Sequence, residues 1–176
     1  MIFNELIVRT LTELTANWSG VVMFLANYLG WFLFVSYLLI LIWHPKRTLR
    51  EEIIFVLTAV LAAWVLSAVI KYFYVSPRPF LQLDNYAPLW RFGSTDSFPS
   101  SHATTFFAFG LAVHAYRPTL GNLYLVGAVL ISVARIAAGL HWPSDVIGGF
   151  VLAGITVFVT QIIFNNSRLH KSALRL

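Results

Sequence analysis

Between Asn17 and Trp43 the chain carries no Lys, Arg, Asp or Glu, and Ile53 to Ile70 is a second uncharged run. Pro99 to Tyr116, Leu120 to Ala134 and Val146 to Phe164 are three further, mainly apolar runs without these charges. Runs of this length reach or approach the ~20 residues that a helix needs to cross a hydrocarbon layer about 30 Å thick. Hydrocarbon offers no partner to a backbone amide, so each run must satisfy its own hydrogen bonds as a helix. The expected fold is therefore all-α: a polytopic transmembrane helix bundle of about five spans. Composition agrees, with 59% hydrophobic and 11% charged residues and a mean hydropathy of +0.76, against roughly 25% charged in a soluble domain.

Residues 2–14, IFNELIVRTLTEL, place Ile2, Phe3, Leu6, Ile7, Leu11 and Leu14 on one helical face. Asn4, Glu5, Arg9, Thr12 and Glu13 fall mostly on the other. This predicts an amphipathic N-terminal helix, lying in the interface or packed on its own bundle. Its acidic residues do not suit a signal peptide. With 176 residues, one domain is expected over 1–176: the interfacial helix 1–16, the bundle 17–164 and a basic tail 165–176. RPTLGN reads as a tight turn, and HWPSD as a break before the last span.

Five spans put the ends on opposite sides. Lys46, Arg47, Arg50, Arg117, Arg168, Lys171 and Arg175 collect on one side, and Arg9, Lys71, Arg78, Arg91 and Arg135 on the other. The positive-inside rule assigns the first side to the cytoplasm and the second to the periplasm or outside. The net charge of +5 is thus read as loops facing anionic lipid, with no nucleic acid as partner. No protein partner can be inferred. The chain has no cysteine, which excludes disulfides, thiolate metal sites and a thiol nucleophile.

The unusual side chains share one face of this arrangement. Lys71 ends the second span, Arg78 follows in SPRPF, His102 opens the third span, Arg135 and His141 close the fourth, and Asp145 opens the fifth. Each alone has a bland reading: a snorkelling lysine, a loop arginine, a helix-start histidine, a His–Asp pair at a turn. Clustered on one face, they favour function, because ionisable groups at membrane depth are expensive. Lys71, Arg78 and Arg135 have no matching acidic cluster, would repel one another and become favourable around a dianion. They equally oppose a metal ion, so no metal and no cofactor are expected. Ser100, Ser101 and the first amides of the third helix add donors, since a helix start attracts anions. Asp145 can hold one nitrogen of His141, leaving the other to attack phosphorus, while His102 protonates the leaving oxygen. His44, His114 and His170 lie on the other side.

These residues form three stretches that resemble the signatures of the phosphatidic acid phosphatase type 2 superfamily. K71-YFYVSP-R78-P79 resembles the first, P99-S100-S101-H102 the second and A134-R135-IAAGL-H141-WPS-D145 the third, in order over residues 71–145. The resemblance implies a metal-free phosphatase with His141 as nucleophile, Asp145 as its orienter and His102 as general acid. Lys71, Arg78 and Arg135, helped by Ser100, would bind phosphate. Two positions depart from the pattern: Ser101 stands where the family has glycine, and Ala134 where it has serine. Within the family, PRPF…SFPSSHA is similar to the small bacterial undecaprenyl-diphosphate phosphatases. That implies hydrolysis of a polyprenyl diphosphate, with phosphatidylglycerophosphate, phosphatidate and lipid A phosphates open as alternatives. Phe73, Phe80, Tyr86, Trp90 and Phe92 are read as either a substrate entrance or an interfacial aromatic belt. A carrier that binds a lipid phosphate without hydrolysing it is the competing class; it has no need of His102 or the His141–Asp145 pair.

Overall fold

A computed structural model of the chain describes residues 2–45, 47–89 and 95–173, with side chains described through residue 166. The described residues form helices without a named strand. Helix α1 (Ile2–Thr15) leads through a 3-10 turn (Ala16–Trp18) into α2 (Ser19–Asn27), α3 (Leu29–Trp43) and α4 (Leu49–Phe73). A four-residue helix, α5 (Pro79–Gln82), lies in the long loop, followed by α6 (Ser101–His114), α7 (Pro118–Ala137) and α8 (Pro143–Ala173).

Helix α6 is the hub, packed against α4, α7 and α8. It can be central because it carries Ala103, Ala108, Gly110 and Ala112, whose small side chains let neighbouring backbones approach. Phe109 fills the space on one flank, stacked on Tyr124 at 5.1 Å with Tyr37 edge-on at 5.3 Å. The outward faces of α4, α7 and α8 expose Leu57, Leu61, Trp64, Val126, Ile155 and Phe158, the pattern of helices solvated by lipid. Sequence sets the helix ends. Glu51 and Glu52 occupy the first turn of α4 and Lys71 its last, in the sense the helix dipole favours. Pro118 sits in the first turn of α7, where its missing amide costs nothing.

Three boundaries differ from the sequence expectation. The apolar run 17–43 is not one rod: the axis of Ile2–Asn27 meets that of Leu29–Trp43 at 43°. Among the described residues α4, α7 and Pro143–Asn166 of α8 are long and apolar enough to cross a bilayer, and the bent pair makes up to four. The remaining segment, α6, has 14 residues, about 21 Å of rise, because Pro99 and the cap at Ser100 start the helix inside the apolar run. RPTLGN is the N-cap and start of α7 rather than a turn; the reversal lies over 115–117, where the Ala115, Tyr116 and Arg117 amides bond to Leu111 and Val113 carbonyls. Gly121 then lies against the backbone of His114, an approach that a side chain would block.

Helix α1 packs on the bundle with one part of its surface and leaves apolar side chains exposed on another. Val8 and Thr12 are buried against α7 and the following turn, whereas Ile2, Phe3, Leu6 and Leu14 remain exposed. Thr12, expected on the polar face, is instead buried and hydrogen-bonded inside the protein. Its hydroxyl bonds to the carbonyls of Val8 and Ala137 at 2.9 Å each and to Tyr86 Oη at 2.7 Å. Tyr86 thus meets α1, and Phe80 packs on the small cluster around Leu140. Phe73 is exposed beside the site. Trp90 and Phe92, together with Arg91 and Lys46, lie outside the described residues, as do the side chains of Arg168, His170, Lys171 and Arg175.

Candidate active site

Four helix ends meet at one end of the bundle: the C-termini of α4 and α7 and the N-termini of α6 and α8. Helices that alternate in direction bring these four together, and with them Lys71, His102, Arg135 and Asp145. The α7–α8 turn adds His141, and the loop after α4 adds Arg78. Lys71, Arg78, Arg135 and His141 are all near enough to His102 to act on it electrostatically.

The α7–α8 turn is shaped by Gly139, whose φ of +75° suits glycine; the ring of Tyr86 fills the place of a side chain there. This turn delivers His141 into the protein, where it is 2% exposed. Its Nδ1 lies 3.5 Å from Asp145 Oδ2. The same carboxylate oxygen accepts the Trp142 amide at 2.7 Å and the hydroxyl of Ser97. Burial pushes the His141 imidazole down to about 4, opposed by the Asp145 hydrogen bond and assisted by the charges of Arg135 and Arg78. The ring is therefore neutral at neutral pH. With Nδ1 turned to Asp145, Nε2 is the nitrogen that can attack.

The cations are anchored by backbone carbonyls. Lys71 Nζ donates to the carbonyls of Asp96 and Ser97 at 3.1 Å each. Arg78, 6% exposed, donates from Nη1 to the Leu140 carbonyl at 2.8 Å. Arg135 reaches across to the Ala26 carbonyl at 3.3 Å and Asn27 Oδ1 at 3.5 Å, and its Nη1 is 3.4 Å from His102 Nε2. The cluster is less one-sided than the sequence suggested. Asp96, held beside the first signature by a bridge from its backbone to Pro77, acts with Asp145 on both Lys71 and Arg78. Two acids against three cations leave a net positive site, suited to an anion and not to a metal.

The first turn of α6 resolves the serines. Ser100 is the N-cap: fully buried, its Oγ accepts the Ala103 amide at 3.4 Å, and its own amide donates to the Asp145 carbonyl at 3.0 Å. Ser101 turns its hydroxyl to Ser67 Oγ of α4, 2.8 Å away. The hydroxyl where the family has glycine thus ties α6 to α4. The contributions of Ser101 and His102 to an anion would come from the first-turn amides, which have no acceptor within their own helix.

Sequence reasoning missed Ser97, Asp96 and Asn27. Ser97 stands five residues before His102 in a loop, outside any helical register. Asp96 is 25 residues from Lys71 along the chain, and Asn27 belongs to a helix that carries no charge. Ser97 opens SFPSSH and Asp96 immediately precedes it, and that placement was the sole signal for these two.

Comparisons with known proteins identify the family. The sequence profile of the PAP2 superfamily matches residues 51–169. The bacitracin transport permease protein BcrC of Bacillus licheniformis is 32% identical over 170 residues, covering 91% of this chain and 83% of that protein. An undecaprenyl-diphosphatase of Sulfolobus acidocaldarius is 31% identical over 158 residues, covering 89% of this chain and 75% of that one. Among solved structures, LpxE of Aquifex aeolicus superposes with a TM-score of 0.67 at 23% identity, over 81% of this chain and 84% of that chain. The chain belongs to the PAP2 superfamily of membrane lipid phosphatases.

Proposed function

We propose that this enzyme, acting as one domain over residues 1–176, hydrolyses the terminal phosphate of a polyprenyl diphosphate at the outer face of the cell membrane, releasing the lipid monophosphate carrier. The observation that carries this reading is the neutral His141 with Nδ1 turned to Asp145, set among Lys71, Arg78 and Arg135 at one end of the bundle. The substrate class is supported by relatives named undecaprenyl-diphosphatase that match most of the chain.

Lys71, Arg78, Arg135 and the first-turn amides of α6 hold the terminal phosphate and offset the charge that builds on its oxygens. His141 Nε2 donates its lone pair to phosphorus. The bond from phosphorus to the bridging oxygen breaks, and that oxygen takes a proton from His102, whose protonated form the bound phosphate dianion favours against the surrounding cations, and leaves with the lipid monophosphate. Asp145 stabilises the phosphorylated imidazolium through Nδ1–H. Water, giving its proton to the now neutral His102, attacks phosphorus; the P–N bond breaks, its electrons return to Nε2, and inorganic phosphate departs.

The test is phosphate release by the purified protein from undecaprenyl diphosphate, phosphatidylglycerophosphate, phosphatidate and lipid A, with EDTA present. The polyprenyl diphosphate is expected to be turned over at least tenfold faster than the others, unaffected by EDTA. His141→Ala should reduce turnover by at least 1,000-fold, on the order expected for loss of a nucleophile. Faster release from phosphatidylglycerophosphate or lipid A would reassign the substrate, and full activity in His141→Ala would abolish the mechanism.

A further inference from the structure

Ser97 is fully buried in a segment that belongs to no helix. It is not the cap of α6, a role held by Ser100. A hydroxyl removed from solvent must find partners, and those of Ser97 are the two groups proposed to perform the chemistry. Its Oγ donates to Asp145 Oδ2 and lies 3.4 Å from His141 Nδ1. That carboxylate oxygen is the one facing His141 Nδ1. Its other described donor is the Trp142 amide, which comes from the same turn as His141. Among the described residues, Ser97 is the donor that reaches the Asp145 carboxylate from outside the α7–α8 turn.

The backbone of Ser97 extends the connection. Its amide donates to the Ser76 carbonyl at 2.7 Å, two residues before Arg78. Its carbonyl is one of the two that accept the Lys71 ammonium. An ammonium has three donors; with two directed to the Asp96 and Ser97 carbonyls, the third has a defined direction. The neighbouring Pro77 is clasped from both sides, by the bridge to Asp96 and by Trp142 Nε1 donating to its carbonyl at 3.0 Å.

We propose that Ser97 is a positioning residue for this phosphatase, its hydroxyl fixing Asp145 against His141 Nδ1 while its carbonyl sets the Lys71 ammonium in the same frame. The inference rests on His141 acting as nucleophile. Without the Ser97 hydroxyl, Asp145 keeps a donor from the turn that it is meant to orient but loses the external one. The imidazole then samples orientations in which Nε2 is misdirected, which slows attack without weakening the phosphate clamp.

The experiment compares wild type, Ser97→Ala, Asp145→Asn and the double variant, with kcat measured on polyprenyl diphosphate and inorganic phosphate used as a competitive inhibitor. Ser97→Ala should lower kcat about 10–100-fold, the range for a hydrogen bond to a charged group, while the inhibition constant of phosphate stays within about threefold. Because Ser97 acts through Asp145, the double variant should be no slower than Asp145→Asn alone. Ser97→Cys keeps the approximate volume with a weak donor, so it should be folded and slow; it carries the test where alanine compromises folding. A Ser97→Ala kcat within twofold of wild type overturns the proposal. So does an effect that multiplies with Asp145→Asn, or a parallel loss of kcat and phosphate inhibition. Persistent turnover in His141→Ala marks a failure of the underlying mechanism instead, whatever Ser97 does.

Discussion

At the residue scale the least ordinary group is His141, a fully buried imidazole kept neutral by the protein. Its folded value of about 4 lies below its ordinary 6.5, with burial as the first cause. Between these values the unfolded chain binds a proton that the folded chain refuses, so stability rises with pH through the window. The contribution is complete above about pH 6.5 and is lost as the pH falls towards 4, a change of up to about 3 kcal/mol. Thermal melts in detergent from pH 4.5 to 8 should show this acid slope in wild type, and His141→Gln should flatten it; equal slopes would mean that the ring titrates alike in both states. The identity of this histidine was legible from its spacing to Arg135 and Asp145, because four- and six-residue intervals within one helix–turn–helix survive folding almost unchanged. Its supporting contacts were not. The Ser101–Ser67 pair and the Ser97–Asp145 bond join residues 34 and 48 positions apart, and a polar residue in a sequence does not announce which distant hydroxyl it will meet.

At the element scale the same limit explains what happens at the opposite end of the bundle. Glu52 precedes the uncharged run that starts at Ile53, yet α4 begins at Leu49 and buries this carboxylate completely. Arg117, just ahead of α7, engages it through Nε at 2.6 Å and Nη2 at 3.2 Å, and Tyr37 of α3 donates at 3.2 Å. Three elements are thus tied by one two-pronged ion pair. Hydropathy located each helix because lipid imposes a long apolar run, but it could not tell a solvated charge from one paired inside. Glu52→Ala should destabilise the protein by about 3–5 kcal/mol, since Arg117 would keep a largely buried charge without its counterion. Replacing both residues with leucine should recover most of that loss. Denaturant unfolding in detergent measures both, and the kcat of the folded fraction should stay near wild type because the pair lies at the far end from His141. An Ala variant as stable as wild type would show that Arg117 reaches water instead.

At the scale of the whole molecule, function depends on which side of the membrane receives the four converging helix ends. The apolar runs set how many times the chain turns, and the turning sets that Lys71, His102, Arg135 and Asp145 share an end; this much follows from the sequence, and the structure brings them together. Sidedness is a separate question, decided by the balance of basic residues across the two faces. Lys71, Arg78 and Arg135 are also the proposed phosphate ligands, so under that proposal their charges weigh less as topology signals. A cysteine-free chain permits a direct measurement. Gln82, exposed in α5 on the site face, and Thr119, exposed at the start of α7 on the opposite face, can each be replaced by cysteine without competing thiols. In intact cells a membrane-impermeant maleimide should label Gln82→Cys and leave Thr119→Cys untouched until the membrane is permeabilised. The reverse pattern would put the phosphatase site in the cytoplasm, and the proposed outer-face hydrolysis would have to be abandoned even if the chemistry at His141 stood.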